Sequence, residues 1–229
     1  MSLTRSFLIT ACVVLLMAGF GSAATFMVKE GGTAPYFTNL DTALWTAATY
    51  GGTGHVIEVY PGTYPTDIDL TVPSNVSAII GVGGADSTFF VNPNPPTWIT
   101  ATGKDFLDVF GSVDLTISGL NVSGYRGAIV TKGVMATGLT VENCVFNNNL
   151  AAFYGGTNGG TFSNLAVSNG WIGISVVSYA GGENLDNNVI ENCTFTGITR
   201  APAVFLDHIE NDIQSPAAAA AASIANNQI

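Results

Sequence analysis

The chain is 229 residues long, 47% hydrophobic and only 10% charged, with 27 glycines and a formal charge of −10. That hydrophobicity excludes a disordered polymer, and the scarcity of lysine and arginine excludes nucleic acid and anionic lipid as partners, because both require a basic face. Such content suits a single elongated all-β domain whose strands are buried and whose corners need small residues.

Residues 1–24 have the pattern of a signal peptide: Arg5 gives the positive start, Phe7 to Phe20 an apolar run of 14 residues, and Gly21-Ser22-Ala23-Ala24 a small-residue cleavage site. The run is short for a membrane span, which takes about 20 residues. The expected product is secreted or cell-surface protein with no membrane span after cleavage. Cys12 lies ahead of most of the apolar run, so it reads as part of that run and not as a lipidation site.

Residues Thr25 to Glu30 then read as a strand and Gly31 to Tyr36 as a loop. Thr38-Asn39-Leu40-Asp41 has a capping-box spacing, and Leu40, Ala43, Leu44, Ala47 and Ala48 recur at helical intervals up to Gly51-Gly52. His55 to Tyr60 alternates with period two, and His55 takes a structural place at a strand edge. Ile68 to Val72 and Val76 to Val82 follow as strands, and Asn92 to Pro96 is a surface loop that cannot donate to a ladder. In Phe106 to Phe110, alternation turns Leu107 and Val109 inward and leaves Phe106, Asp108 and Phe110 outside; an inward aromatic column is the competing reading. At the corresponding strand of later units Ala128, Ala152, Ile174 and Val204 point in.

One short unit recurs: Ile117-Ser-Gly-Leu-Asn-Val122, Val141-Glu-Asn-Cys-Val-Phe146, Phe162-Ser-Asn-Leu-Ala-Val167 and Ile190-Glu-Asn-Cys-Thr-Phe195. Leu120, Cys144, Leu165 and Cys193 are separated by 24, 21 and 28 residues, a solenoid period. Gly119, Asn143, Asn164 and Asn192 mark a tight corner in each unit, because Gly and Asn tolerate positive φ. Ile224 to Ile229 repeats the motif after Ser215-Pro216 and the alanine run 217–222, which implies the front part of a longer solenoid.

The repeat resembles the right-handed parallel β-helix of the pectin-lyase-like superfamily, in which a short turn carries a ladder of stacked asparagines. The helix over residues 40–48 is similar to the amphipathic cap that closes such solenoids. The resemblance implies a right-handed parallel β-helix solenoid over 25–229 with a short N-terminal capping helix. Within it, Cys144 and Cys193 stand two coils apart, roughly 9–10 Å at about 4.8 Å per coil, beyond the limit of about 7 Å for a disulfide. Free, inward thiols are expected.

The resemblance also implies chemistry on polysaccharides, in a groove along the outward face of one sheet. A lyase needs a cation or metal and a base beside a uronate, and a hydrolase needs two facing carboxylates. The adjacent Asp-Asp and Gly-His-Gly motifs of hydrolases with this fold are absent. Arg200-Ala201-Pro202 and Leu206-Asp207-His208 resemble two pectate lyase motifs, but in reversed order and with Phe205 in place of a tryptophan. Arg126 and Lys132 flank one strand near the middle of the stack, where an arginine can pair with a uronate; solvation at the surface is the plainer alternative.

Candidate catalytic residues are therefore Arg126, Lys132 and Arg200, and candidate substrate-binding residues are Phe106, Asp108 and Phe110. Asp207, Glu210 and Asp212 form a candidate Ca²⁺ site, against a solvated acidic loop as the alternative. Three sequons begin at Asn75, Asn121 and Asn192.

Residues 25–229 keep all 16 acidic side chains and only five basic ones, a balance of −11. That favours a non-catalytic exported scaffold binding a polysaccharide, a surface glycan or other envelope proteins. A Ca²⁺-assisted lyase acting on a uronate-containing polysaccharide is the competing class.

Overall fold

A computed structural model describes residues 21–96, 103–111, 114–132, 135–177, 185, 187–200, 202–207 and 222–229. The short alternating segments stack as coils, and three parallel sheets run the length of the stack. The first sheet contains Thr25–Val28, His55–Val59, Val76–Gly81, Thr116–Ser118, Thr140–Glu142, Thr161–Ser163, Asn188–Glu191 and Ala222–Ala225. In the second lie Gly62–Pro65, Thr88–Val91, Asn121–Ser123, Val145–Asn147, Ala166–Ser168 and Thr194–Thr196. The third has Leu70–Val72, Leu107–Val109, Gly127–Thr131, Ala151–Gly155, Ile172–Val177 and Val204–Asp207. Ala136–Thr137 and Thr157–Asn158 pair in a fourth, minor ladder.

Period-two alternation fixes the register. Along the first sheet Ile57, Ile79, Ile117, Val141, Phe162 and Ile190 pair in sequence, and all are sealed from solvent. Phe90, Val122, Phe146, Val167 and Phe195 make the equivalent column of the second sheet. A one-residue slip would turn each column outward.

The corners are stacked as the repeat requires. Gly119, Asn143, Asn164, Asn192 and Asn226 all have positive φ, between 53° and 69°, at the turn from first to second sheet. The Asn143 N–H donates to Ser163 O at 3.1 Å and the Asn164 N–H to Glu191 O at 3.2 Å, so each corner is bonded to the next coil. A second ladder, not expected from the repeat, lies five residues further on: Gly124, Asn148, Asn169 and Gly197 turn the chain into the third sheet. Cys144 and Cys193 are free and buried. Burial pushes the Cys144 thiol up to about 12, partly opposed by backbone hydrogen bonds.

The N-terminal helix, α1, spans Leu40–Thr49, and Asn39 caps it by accepting a hydrogen bond from Thr42 N–H at 2.9 Å. Leu40, Ala43, Leu44 and Ala47 are buried over the first coil, whereas Ala48, expected on the same face, is exposed. Asn75 Nδ2 donates to Ala47 O at 2.7 Å and ties the end of α1 to that coil. The signal segment at 1–20 lies outside the described residues.

Two inward assignments need correction. Phe106 is fully buried, with its ring 4.6 Å from Phe90 and 5.3 Å from Tyr125, which is the inward aromatic column. Ile174 pairs with Phe153, and Phe153 in turn with Ile129, so Ala152 and Ala128 are one residue out of this column. Consecutive residues, Ala128 with Ile129 and Ala152 with Phe153, are both buried where the chain enters this sheet, so strict alternation begins one residue later than expected. Leu107 and Val109 are buried as expected, and Val204 packs against the core.

Candidate functional site

The outward face of the third sheet carries the described protein's densest charge. Asp69 stands just before Leu70–Val72, Asp105 just before Leu107–Val109 with Asp108 inside that strand, and Arg126 and Lys132 at the two ends of Gly127–Thr131. Register brings these three strands side by side, so residues far apart in sequence meet. Asp105 is the hub. Its Oδ1 accepts from Arg126 Nε at 2.9 Å and from the Gly127 N–H at 3.1 Å. Its Oδ2 takes a second Arg126 hydrogen bond and the Lys132 ammonium at 2.9 Å. Lys132 also bonds Asp108 Oδ2 at 2.7 Å. Asp69 closes the cluster, accepting the Asp105 N–H at 2.7 Å and pairing with Lys104 at 3.4 Å.

Exposure is uneven. The Asp105 side chain is 0% exposed, while Arg126 and Lys132 keep 39% and 35% of theirs in solvent. Burial works against the Asp105 charge, but the hydrogen bonds from Arg126 and Lys132 together outweigh it and hold the carboxyl below its usual range. Asp108 goes the other way: burial pushes it up, Lys132 offsets only part of this, and the nearby Asp105 and Asp69 charges add to the rise. Its Oδ1 is buried without a hydrogen-bond partner among the described residues. Hydrogen bonding to Asp105 raises Arg126. Burial pulls Lys132 down, yet its bonds to Asp108 and Asp105 outweigh that and leave it raised. Both cations are held protonated.

A groove of about 560 Å³ opens beside this cluster. Gly127, Val130, Ala151, Tyr154 and Ile172 line it from the sheet, Leu150 and Trp171 from the corners, and Arg126, Lys132 and Asp105 supply its polar wall. Outward Val130 pairs with Tyr154 on the next coil, and Gly127 with Ala151 and then Ile172. Gly127 keeps the floor low: a Cβ there would come within 2.2 Å of Val130 Cγ2. Trp171 also borders a neighbouring depression with Asn148, Asn169, Thr199 and Arg200, and the Arg200 guanidinium lies 4.2 Å above its ring.

The structure thus brings Arg126, Lys132 and Asp108 together and places Arg200 further along the same face. Phe106 faces the interior and Phe110 is exposed, so the two do not form one outward platform. Asp69, Asp105, Tyr154 and Trp171 were not singled out from sequence; the two aspartates and Trp171 precede strands of the same sheet and Tyr154 lies within one, a recurrence visible once the coils are aligned. Glu210 and Asp212 lie outside the described residues, as does the Asp207 side chain. Asp69, Asp105 and Asp108 bring carboxylate oxygens within 4.8 Å of one another. That cluster does not fit a resident Ca²⁺, because Arg126, Lys132, Lys104 and backbone N–H groups already occupy the Asp105 and Asp69 oxygens.

No family model and no curated protein matches the chain. Among solved structures it is similar to a rhamnogalacturonan lyase, with a TM-score of 0.51 and 14% identity over 90% of this chain and 62% of that one. It is also similar to the catalytic domain of a GH87 α-1,3-glucanase, at 0.51 and 15% over 92% of this chain and 39% of that one. A pectin methylesterase from Aspergillus niger matches at 0.49 and 15%, over 90% and 86%. The fold is the pectin-lyase-like parallel β-helix. The chain spans under two thirds of the first two of these proteins. No helix among the described residues is long and apolar enough to cross a membrane.

Proposed function

We propose that the outward face of the third sheet is a polysaccharide-binding groove that takes uronate-containing chains. The observation that carries this reading is the meeting of Arg126 and Lys132, both held charged by the buried Asp105 with over a third of each side chain in solvent, with Tyr154 and Trp171 along one groove. A pyranose ring offers an apolar face to an aromatic side chain, while its carboxylate accepts charge-assisted hydrogen bonds from a guanidinium or ammonium. Asp105 supplies order: it fixes both cations before a ligand arrives, which reduces the entropy lost on binding. Two structural neighbours act on polysaccharides: the rhamnogalacturonan lyase supports an acidic ligand, whereas the α-1,3-glucanase supports only the broader class of polysaccharide.

Calorimetric titration with oligogalacturonate and with neutral cello-oligosaccharides tests the reading. Salt-sensitive binding of the acidic ligand, weakened about tenfold or more in Trp171→Ala and in Lys132→Ala, is the expected result. Equal affinity for neutral and acidic chains, or binding indifferent to both substitutions, would sink it.

Turnover of a uronate is the second reading, with the neighbouring rhamnogalacturonan lyase as its support. In that reading Arg126 and Lys132 neutralise the uronate carboxylate rather than remove its proton, because both are held protonated. Unsaturated-product absorbance on incubation with oligogalacturonate measures this directly, and its persistence in Arg126→Ala would remove the assigned role.

A further inference from the structure

We infer that export-linked proteolysis cuts the chain between Ala23 and Ala24, and that the new α-ammonium of Ala24 is anchored by His55. His55 is fully buried, its ring edge-on to Phe26 and Tyr50 at 5.6 Å each. Its Nδ1 accepts the Ala24 N–H at 3.1 Å, and the next residue, Val56, donates its N–H to Ala24 O at 2.9 Å. Gly21, Ser22 and Ala23 are exposed, whereas Ala24 packs against the core. Among the described residues, Ala24 is the first one knitted into the coil stack.

Three registers satisfy the small-residue rule for cleavage, Gly19 with Gly21, Gly21 with Ala23 and Ser22 with Ala24, and the first would leave the exposed Ser22 and Ala23 dangling ahead of the coil. The sequence alone placed the boundary after Ala24. The fold separates their products. A cut after Ala24 removes both partner atoms, leaving a sealed imidazole nitrogen without its donor and the Val56 N–H without its ladder acceptor, each a destabilising loss. A cut after Ala23 keeps both bonds. Water hydrolyses the Ala23–Ala24 amide, the carboxylate departs with the leader, and the amine stays on Ala24 as an ammonium. One N–H of that ammonium keeps the bond to His55, and the others open onto the groove that Ala24 shares with Ser22 and Ala23, a groove the cut widens toward solvent by removing those two residues.

The full 229-residue precursor is produced in a secreting host, and the N-terminal peptide of the exported protein is read by mass spectrometry. The expected peptide starts Ala24-Thr25-Phe26. A start at Thr25, a retained Met1 or any other first residue overturns the assignment. Anchoring is tested separately with two chains released from a cleavable tag, one beginning at Ala24 and one at Thr25. The Val56 amide, whose acceptor is Ala24 O, should exchange about tenfold or more faster in the shorter chain, and the His55 Nδ1 resonance, whose donor is the Ala24 amine, should shift between the two chains. An unchanged His55 Nδ1 resonance, or equal exchange rates at Val56, would refute the anchor even where the cut falls as expected.

Discussion

Replacing Asp105 by Asn removes one negative charge from a place the solvent does not reach, while both partner cations remain over a third exposed. A hydrogen bond to a charged group contributes about 1.5–3 kcal/mol, and Asp105 makes such bonds to Arg126 and to Lys132. Water recovers part of that for partly exposed cations. The amide also retains an acceptor for the Gly127 N–H. A net loss of about 2 kcal/mol is expected, which lowers a urea midpoint by about 1 M for a slope of about 2 kcal/mol/M.

The pH dependence carries a definite sign. Asp105 has a folded-state pKa below its unfolded value, so its stabilisation is present above the ordinary carboxylate range and disappears as pH falls through the folded value. The gap between wild type and Asp105→Asn is therefore widest near neutrality and narrows below about pH 4. Asp108, present in both proteins, has a raised pKa and contributes the opposite slope, with stability lost as pH rises from its unfolded through its folded value. Urea unfolding followed by circular dichroism at several pH values reads both effects. A neutral-pH shift under about 0.2 M, or a gap that widens toward acid, would refute the reasoning.

Asn164→Ala forces an ordinary side chain to a φ of 54° and should cost about 1–2 kcal/mol in the same assay, whereas Asn164→Gly stays within about 0.5 kcal/mol of wild type. Equal losses from both would mean that the asparagine side chain, not the backbone geometry, matters at this corner. Cys144 and Cys193 should fail to react with a thiol reagent in native protein at pH 8 and react fully in denaturant, because burial raises both thiols. Rapid labelling of native protein would contradict the sealed core.

The stack was legible because it is periodic. Gly119, Asn143, Asn164 and Asn192 advertise the coil in sequence, since few residue types accept positive φ and these recur with apolar residues at fixed offsets. The second corner ladder, Asn148 and Asn169 with Gly124 and Gly197, was equally written in the chain, five residues on, but its partners alternate between glycine and asparagine more freely. Phe106 was read one residue out of phase. Alternation presumes a strand already straight, and Phe106 and Leu107 are both buried where the chain is still turning into one.

At the candidate site the two cations stood out because basic residues are scarce. Their organiser did not. Asp105 meets Arg126 across 21 positions and Asp69 across 36, and only the register of neighbouring coils decides that those carboxylates and cations share a face. Trp171 was hidden for the same reason, being a corner residue whose exposure depends on how the adjacent coils are stacked.

Hydrogen exchange with and without bound oligogalacturonate tests most directly whether the third sheet is the working face. Slowed exchange confined to Gly127–Thr131, Ala151–Gly155 and Ile172–Val177, with the strands of the first sheet unchanged, is the predicted footprint. Protection centred on the first or second sheet, or none at saturating ligand, would contradict it.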